Sequence, residues 1–279
     1  MRIPDSCAKC LFDKQKKKTD NEEYLAEIKS LLDNRSETDT SPYMVYLFNK
    51  VHVRYFGKGA DYYDIKKQFN DLLLGKEKSL RSEIENSEDP LAKALMLSRI
   101  GNYIDFAAMS EVDEDEFLRL FGNTQMNAND KKTYESFLNK CTTAKNFLLI
   151  CDNCGEIVLD KLMLEQLKRR FPHLDIKAMV RGGEVLNDAT EDDAKYVGLD
   201  KVAELVSNGE AIAGTVYDML SSGAKQTLDN ADVILAKGQG NYESMSDQGR
   251  HLFYMFLCKC ELFTSRFSVP RLTGIFIEE

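Results

Sequence analysis

Residues 147–170 read FLLICDNCGEIVLDKLMLEQLKRR, and the fold follows from this stretch. Its first five residues are wholly apolar between polar neighbours, the pattern of a short strand buried on both faces. Asp152-Asn153-Cys154-Gly155 forms a turn. IVLDKLMLEQLKRR then runs at helical period as an amphipathic helix, with Lys168, Arg169 and Arg170 in its last turn and Pro172 ending it. Downstream, DIKAMV (175–180), ADVILAK (231–237) and HLFYMFLCK (251–259) are further strand candidates separated by loops and helical segments. Strand, loop and helix in alternation predict an α/β fold: a three-layer α/β/α core around a largely parallel sheet.

Upstream of about residue 145 the period is helical. Tyr43, Tyr46, Leu47, Lys50, Val51 and Arg54 trace one helix. Leu91, Ala94, Leu95, Ser98 and Asn102 trace another, behind the start signal Ser87-Glu88-Asp89-Pro90. Glu111–Gly122 and Asp130–Lys145 continue the pattern. We therefore expect a helical N-terminal domain over 1–110 and an α/β/α catalytic domain over 111–279, with the change of period between 110 and 145 as a soft boundary. The walls of any substrate pocket would come in part from the helical half, whose tyrosines and phenylalanines are mostly core packing.

The chain has 279 residues, 43% hydrophobic and 30% charged, which is the balance of a folded globular protein. A net charge of -9 repels phosphodiester backbones and argues against a nucleic-acid partner. No apolar run approaches the roughly 18 residues that span a bilayer, and MRIPDSCAKC lacks the apolar region of a signal peptide. With seven cysteines and no secretory signal, reduced thiols and a cytoplasmic location are expected. Cys7 and Cys10 have the spacing of half a zinc site. Their only cysteine complement, Cys258 with Cys260, is poorly spaced for one, so buried or reduced thiols are the favoured reading.

In open α/β sheets ligands sit beyond the carboxyl ends of the strands. Three loops occupy such positions: Asp152-Asn153 with Gly155-Glu156, Arg181-Gly182-Gly183 with Asn187-Asp188, and Lys237-Gly238-Gln239-Gly240-Asn241. Asp152, Asp188 and the Asn153 amide are hard oxygen donors of the kind Mg²⁺ or Mn²⁺ accepts. Asp152 is equally suited to capping the helix that follows it. Gly238-Gln239-Gly240 beside Lys237 suits either a tight turn or the approach of backbone amides to an anion.

Taken together, CDNCGEIVLD (151–160), RGGEVLNDAT (181–190) and ADVILAKGQGNYESM (231–245) resemble the damage-control phosphatase family, domain of unknown function eighty-nine, in its smaller microbial branch. The likeness extends upstream to Cys7-Cys10 and GNYIDF (101–106). It implies an α/β/α core with a helical N-terminal part and a metal-dependent phosphatase that hydrolyses small phosphate monoesters such as sugar phosphates or damaged phosphometabolites. It implies a divalent ion (Mn²⁺, Mg²⁺, Co²⁺ or Ni²⁺) on Asp152, Asn153 and Asp188, with Asp152 and Lys237 catalytic. Glu156, Asn187 and Asn241 would line the substrate and phosphate pocket with Lys237, joined by Asn102 and Asp105. The attacking group is left open between a water and the Asp152 carboxylate.

Two departures stand out. Cys154 replaces the family's usual small, alanine-like residue, and the Leu257-Cys258-Lys259-Cys260 segment lacks the expected proline, which leaves Lys259 outside the site. The rival reading is a Rossmann-like, methyltransferase-like cofactor binder, although G-x-G-x-x-G is missing from the first turn.

Overall fold

The computed structural model describes residues 1–57, 59, 61–103 and 125–279. Glu111–Gly122 and the expected boundary at 110 lie outside the described residues. Among these, the helices are α1 (Asp5–Lys16), α2 (Glu22–Asp33), α3 (Ser41–Phe56), α4 (Tyr63–Glu85), α5 (Pro90–Gly101), α6 (Ala128–Thr143), α7 (Glu156–Arg170), α8 (Glu191–Val197), α9 (Ser222–Asn230), α10 (Gly238–Met245) and α11 (Glu261–Phe267). The strands are β1 (Asn146–Ile150), β2 (Asp175–Val180), β3 (Glu204–Ser207), β4 (Val233–Lys237), β5 (Phe253–Leu257) and β6 (Gly274–Glu278).

The strands form one six-stranded sheet in the order β3-β2-β1-β4-β5-β6. All neighbours are parallel except β6, which runs antiparallel to β5. Central β1 alternates its burial as a doubly covered strand must: Phe147 and Leu149 join the cluster beneath α4–α7, while Leu148 and Ile150 join the cluster beneath α9–α11. The predicted three-layer α/β/α core is therefore present. Edge strands β3 and β6 escape the sequence reading because they are short and half exposed, with no sustained apolar run.

Helix α7, expected as an amphipathic helix, is covered on more than one face. Nearly every residue from Glu156 to Leu167 is buried, because α4, α5 and α8 cover the side that turns away from the sheet. The N-terminal helices divide accordingly. Helices α1–α3 close a small cluster of their own around Tyr24, Ile28 and Phe48, whereas α4 and α5 share the sheet's main cluster.

Helix α5 delivers Ser98 and Asn102 to the sheet's carboxyl edge, and its start is fixed by Asp89 and Pro90. The Asp89 carboxylate accepts from the Ala92 amide at 3.1 Å and from the Tyr134 hydroxyl at 2.9 Å, with Arg170 beside it at 3.1 Å. Asp89→Ala is expected to lower the unfolding free energy by about 1 kcal/mol or more, read as a lower urea midpoint at unchanged slope. Asp89→Asn should retain most of the cap. Burial raises the Asp89 carboxyl, but the Ala92 amide, Tyr134 and Arg170 outweigh it and hold the group below its ordinary value. Its contribution is thus complete above the unfolded value of 3.8 and is lost as pH falls through the lowered folded value. The stability gap between wild type and Asp89→Asn should shrink over that acid range in pH-dependent urea titrations.

Candidate active site

From β1 the chain steps outward to β2 and β3, and from β4 it steps outward the other way to β5 and β6. The crevice between β1 and β4 is therefore a topological switch point, where open α/β sheets bind their ligands. The loops after β1, β2 and β4 meet there. Asn153 and Asp188 pair as an isolated antiparallel bridge. The Ala189 amide donates to the Asp152 carbonyl and the Cys154 amide to the Asn187 carbonyl, each at 2.8 Å.

Asp152 does not cap α7. The cap position belongs to Gly155 at φ 79°, and no side chain caps the helix. The Gly155 amide donates instead to Asn70 Oδ1 of α4 at 2.6 Å. The Asp152 carboxylate faces the crevice instead. Its Oδ2 accepts from Asn102 Nδ2 at 2.9 Å and from Asn153 Nδ2 at 2.7 Å, and both amides also donate to Glu156 Oε2 at 3.0 Å. Asn102 is itself oriented by the Leu257 amide at the end of β5, which donates to its Oδ1 at 3.1 Å. Gly238 closes the same corner. It sits at φ 80°, and a Cβ there would lie 2.0 Å from Asp152 Oδ2, so only glycine fits between the carboxylate and the start of α10.

Arg181, at the end of β2, holds the two aspartates together. Its Nε donates to Asp188 Oδ2 at 2.7 Å and its Nη2 lies 3.5 Å from Asp152 Oδ1. Its Nη1 reaches the Gly214 carbonyl at 3.1 Å and Asn241 Oδ1 at 3.3 Å. Sequence reasoning placed Arg181 in the second loop without giving it a role. The available signal was a cation set directly after a buried strand, with an acid seven residues on.

Lys237, Glu156 and Asn241 are placed differently from the expectation. The expected phosphate-lining lysine is fully buried, its ammonium 2.7 Å from Glu156 Oε1 and 2.6 Å from Asp160 Oδ1. It also donates to Ser98 Oγ at 2.7 Å. Burial works against this charge, but Asp160 and Glu156 outweigh it and raise the lysine's pKa. Burial pushes the Asp160 carboxyl up, against the pull of Lys237. Glu156 is likewise buried, and Asn241 spends its amide on the Cys151 and Lys237 carbonyls and its oxygen on Arg181 and Thr215. The reason is physical: a charge taken out of water persists only with partners, so these groups satisfy one another. Ser98 traces the helix and Asp160 ends the CDNCGEIVLD motif in the sequence, but neither was given a role there, because their meeting with Lys237 joins distant parts of the chain.

Asn187 is buried beside Asp188, and Asp105 lies outside the described residues. Cys154 is buried and burial raises its thiol strongly, so it stands there as a small neutral group, its Sγ 3.9 Å from the Asp188 carbonyl. Lys259 is buried, with its amide on Gln239 Oε1 at 2.7 Å. Cys7 is half buried with its thiol pushed up to about 11 by burial, and Cys10 is exposed.

No group of three or more His, Cys, Asp or Glu side chains among the described residues is placed to hold a metal ion. The crevice itself offers two carboxylates and an amide. That set has the chemistry a divalent ion needs. Among the described residues, the buried carboxyls Asp152 and Asp188 meet at buried Arg181, and Glu156 and Asp160 meet at buried Lys237. The Asn153 nitrogen is fixed toward Asp152 and Glu156, which turns its oxygen to the opposite side. Hard oxygen donors in this number suit an ion that keeps several of its waters.

Lys237→Met would leave Glu156 and Asp160 buried without their cation. It is expected to cost about 3–5 kcal/mol of stability, measured by urea unfolding, and Asp160→Asn in the same chain should recover part of the loss.

A family model, the damage-control phosphatase ARMT1-like domain, matches residues 2–272. A damage-control phosphatase of Archaeoglobus fulgidus is 29% identical over 275 residues, covering 94% of this chain and 93% of that one. An uncharacterized protein of Methanocaldococcus jannaschii is 30% identical over 280 residues, covering 94% and 90%. The crystal structure of a DUF89 family protein from Pyrococcus horikoshii superposes with a TM-score of 0.80 over 99% of both chains at 22% identity, which is the same fold. With a match across nearly its whole length, the chain belongs to the damage-control phosphatase ARMT1-like family.

Proposed function

We propose that this chain is a metal-dependent phosphomonoester hydrolase acting on small phosphorylated metabolites, sugar phosphates or their damaged forms among them. The observation that carries this reading is the pair of buried carboxylates at the switch point, Asp152 and Asp188 held side by side on one guanidinium. Asp152, Asn153 and Asp188 would hold a divalent cation, Mn²⁺, Mg²⁺, Co²⁺ or Ni²⁺, which when bound neutralises a phosphate dianion and makes water more acidic.

The chain's own residues do the rest by position. Arg181 fixes both aspartates before any ligand arrives, so little reorganisation is left for the reaction. Asn102 and Asn153 set the Asp152 carboxylate, and Lys237 with Asp160 holds Glu156 beneath them. Lys237 thereby acts as a positioning residue. Asp152 Oδ2 already accepts from two amides and Oδ1 faces Arg181, which favours water over this carboxylate as the group that attacks phosphorus.

A Rossmann-like cofactor site is disfavoured. Buried Glu156 occupies the first turn of α7, where a cofactor's phosphates would need the helix's free amides. The excess of acid along the whole chain supports a small-molecule rather than a nucleic-acid partner. No helix among the described residues is long and apolar enough to cross a membrane, and the seven cysteines are free thiols, which supports a reducing, cytoplasmic setting.

The test is phosphate release from an aryl phosphate and a panel of sugar phosphates, using chelator-stripped protein with single divalent ions added back. Activity is expected to return with one or two ions. Asp152→Ala and Asp188→Ala should each reduce kcat/KM by about a thousandfold or more, as expected for lost charge stabilisation at the reacting centre. Turnover retained in both variants refutes the site. Labelled solvent oxygen in the released phosphate, with no trapped phosphoenzyme, is the expected outcome for attack by water; a phosphorylated Asp152 would reverse that assignment.

A further inference from the structure

We propose that Cys7 and Cys260 are a redox-sensitive pair: oxidation joins them in a disulfide that clasps the two ends of the chain together and acts on the crevice through Gln239. The two thiols stand at opposite ends of the sequence, and the fold brings them to one seam. The N-terminal segment lies against α10 and α11, where the Met1 ammonium donates to the Glu243 carbonyl at 2.5 Å and Arg266 Nη1 lies 3.4 Å from the Met1 sulfur. Cys7 Sγ is 3.4 Å from Ser41 Oγ at the start of α3. The next residue, Pro42, packs on Gly240, and Gln239 beside it donates its Nε2 to Cys260 Sγ at 3.7 Å. The Cys7 thiol feels the charge of Glu243, Cys260 and Cys10, and Cys260 acts on it more strongly than Cys10, its neighbour one turn along α1.

Of the thiols near this seam, one pair suits a bridge. Cys258 is fully buried, its thiol pushed up to about 11 by burial, and lies out of reach of an oxidant in solvent. Cys7 and Cys10 are three residues apart on α1. Side chains so spaced leave the helix with their Cβ atoms about 5–6 Å apart, whereas a disulfide needs about 3.5–4.5 Å. A bridge between them would have to distort the helix. Cys260 is exposed in the turn between β5 and α11, outside any helix or strand, so it meets an oxidant first and can turn toward half-buried Cys7.

The oxidant is hydrogen peroxide. The Cys260 sulfur, its proton given to solvent, attacks one peroxide oxygen and the O–O bond breaks, leaving a sulfenic acid on Cys260 and, once protonated, a water. The Cys7 sulfur then attacks the Cys260 sulfur, the S–O bond breaks, and the departing hydroxide takes the Cys7 proton as a second water. Two thiols give two electrons to the two peroxide oxygens, and a thiol reductant returns them by exchange. In a reducing compartment, disulfides are typically transient bridges of this kind.

Gln239 carries the change to the crevice. Its Oε1 accepts from the Lys259 amide at 2.7 Å, and it is the second residue of α10, directly after Gly238, whose backbone lies against the Asp152 carboxylate. Drawing the Cys260 sulfur to Cys7 takes it from Gln239 Nε2 and displaces the Lys259–Cys260 backbone that Oε1 holds, so the start of α10 shifts at the point where it meets Asp152.

The experiment treats wild type, Cys10→Ser and Cys260→Ser with hydrogen peroxide, removes it, and maps disulfide-linked peptides by mass spectrometry before and after a thiol reductant. The same samples, metal-loaded, are assayed for kcat/KM on an aryl phosphate, and urea midpoints of the reduced proteins check folding. A Cys7–Cys260 peptide is expected in wild type and Cys10→Ser, absent from Cys260→Ser and lost on reduction. Oxidised wild type is expected to lose about tenfold or more in kcat/KM, as for a small displacement at the reacting centre, and to recover it with reductant, while Cys260→Ser keeps its rate. No Cys7–Cys260 peptide, or a Cys7–Cys10 peptide in its place, overturns the pair. A bridge that forms and leaves the rate unchanged overturns the link through Gln239. The effect on rate rests on the phosphatase reading and the bridge does not: wild type that releases no phosphate with any ion overturns that reading and the effect on rate, while the peptide map still decides the bridge.

Discussion

Arg181 reaches from the end of β2 across the mouth of β1 and touches, with one planar group, the carboxylates of Asp152 and Asp188, the Asn241 side chain and the Gly214 carbonyl. Few side chains other than arginine can do this. The fork offers several donors in fixed directions and keeps its charge when buried. Without it, two carboxylates at the closest point of two loops would repel each other in a medium that screens poorly. The turn after β1, the 181–190 loop and the start of α10 all take their relative positions from this contact.

Beneath it lies a second buried network built on Lys237, Glu156, Asp160 and Ser98, and the two are joined by the Asn102 and Asn153 amides. Buried ion pairs are poor contributors to net stability, because desolvation cancels much of their attraction. Here they hold four carboxyls in place, two on Arg181 and two on Lys237. Crowding carboxylates in this way is unfavourable for folding alone. Gly238 shows the same crowding in the backbone, where a positive φ makes room for the Asp152 carboxylate.

The small N-terminal helical cluster connects to this centre through α3. Pro42 of α3 packs on Gly214, and Gly214 and Gly240 make backbone approaches so close that neither tolerates a side chain. Helix α3 therefore sits against both the helix that begins at the site and the loop that Arg181 grips. A wall so placed can shape what enters while the sheet's edge performs the chemistry.

The sequence by itself determined the layered α/β/α core, the central strands β1, β2, β4 and β5, and the three polar loops at their carboxyl ends. These are local properties: FLLIC and VILAK are buried on both faces wherever they fold, and Pro90 and Gly155 act within their own turns. Tertiary structure alone decided the rest. It chose Asp152 as a crevice carboxylate rather than a helix cap, buried α7 on nearly all sides, and turned Lys237 inward. Lys237 meets Ser98 across 139 residues of chain and Asn102 meets Glu156 across 54, separations over which no periodicity carries information. The partner of a buried charge is set by which elements the sheet brings together, and only the folded chain specifies that.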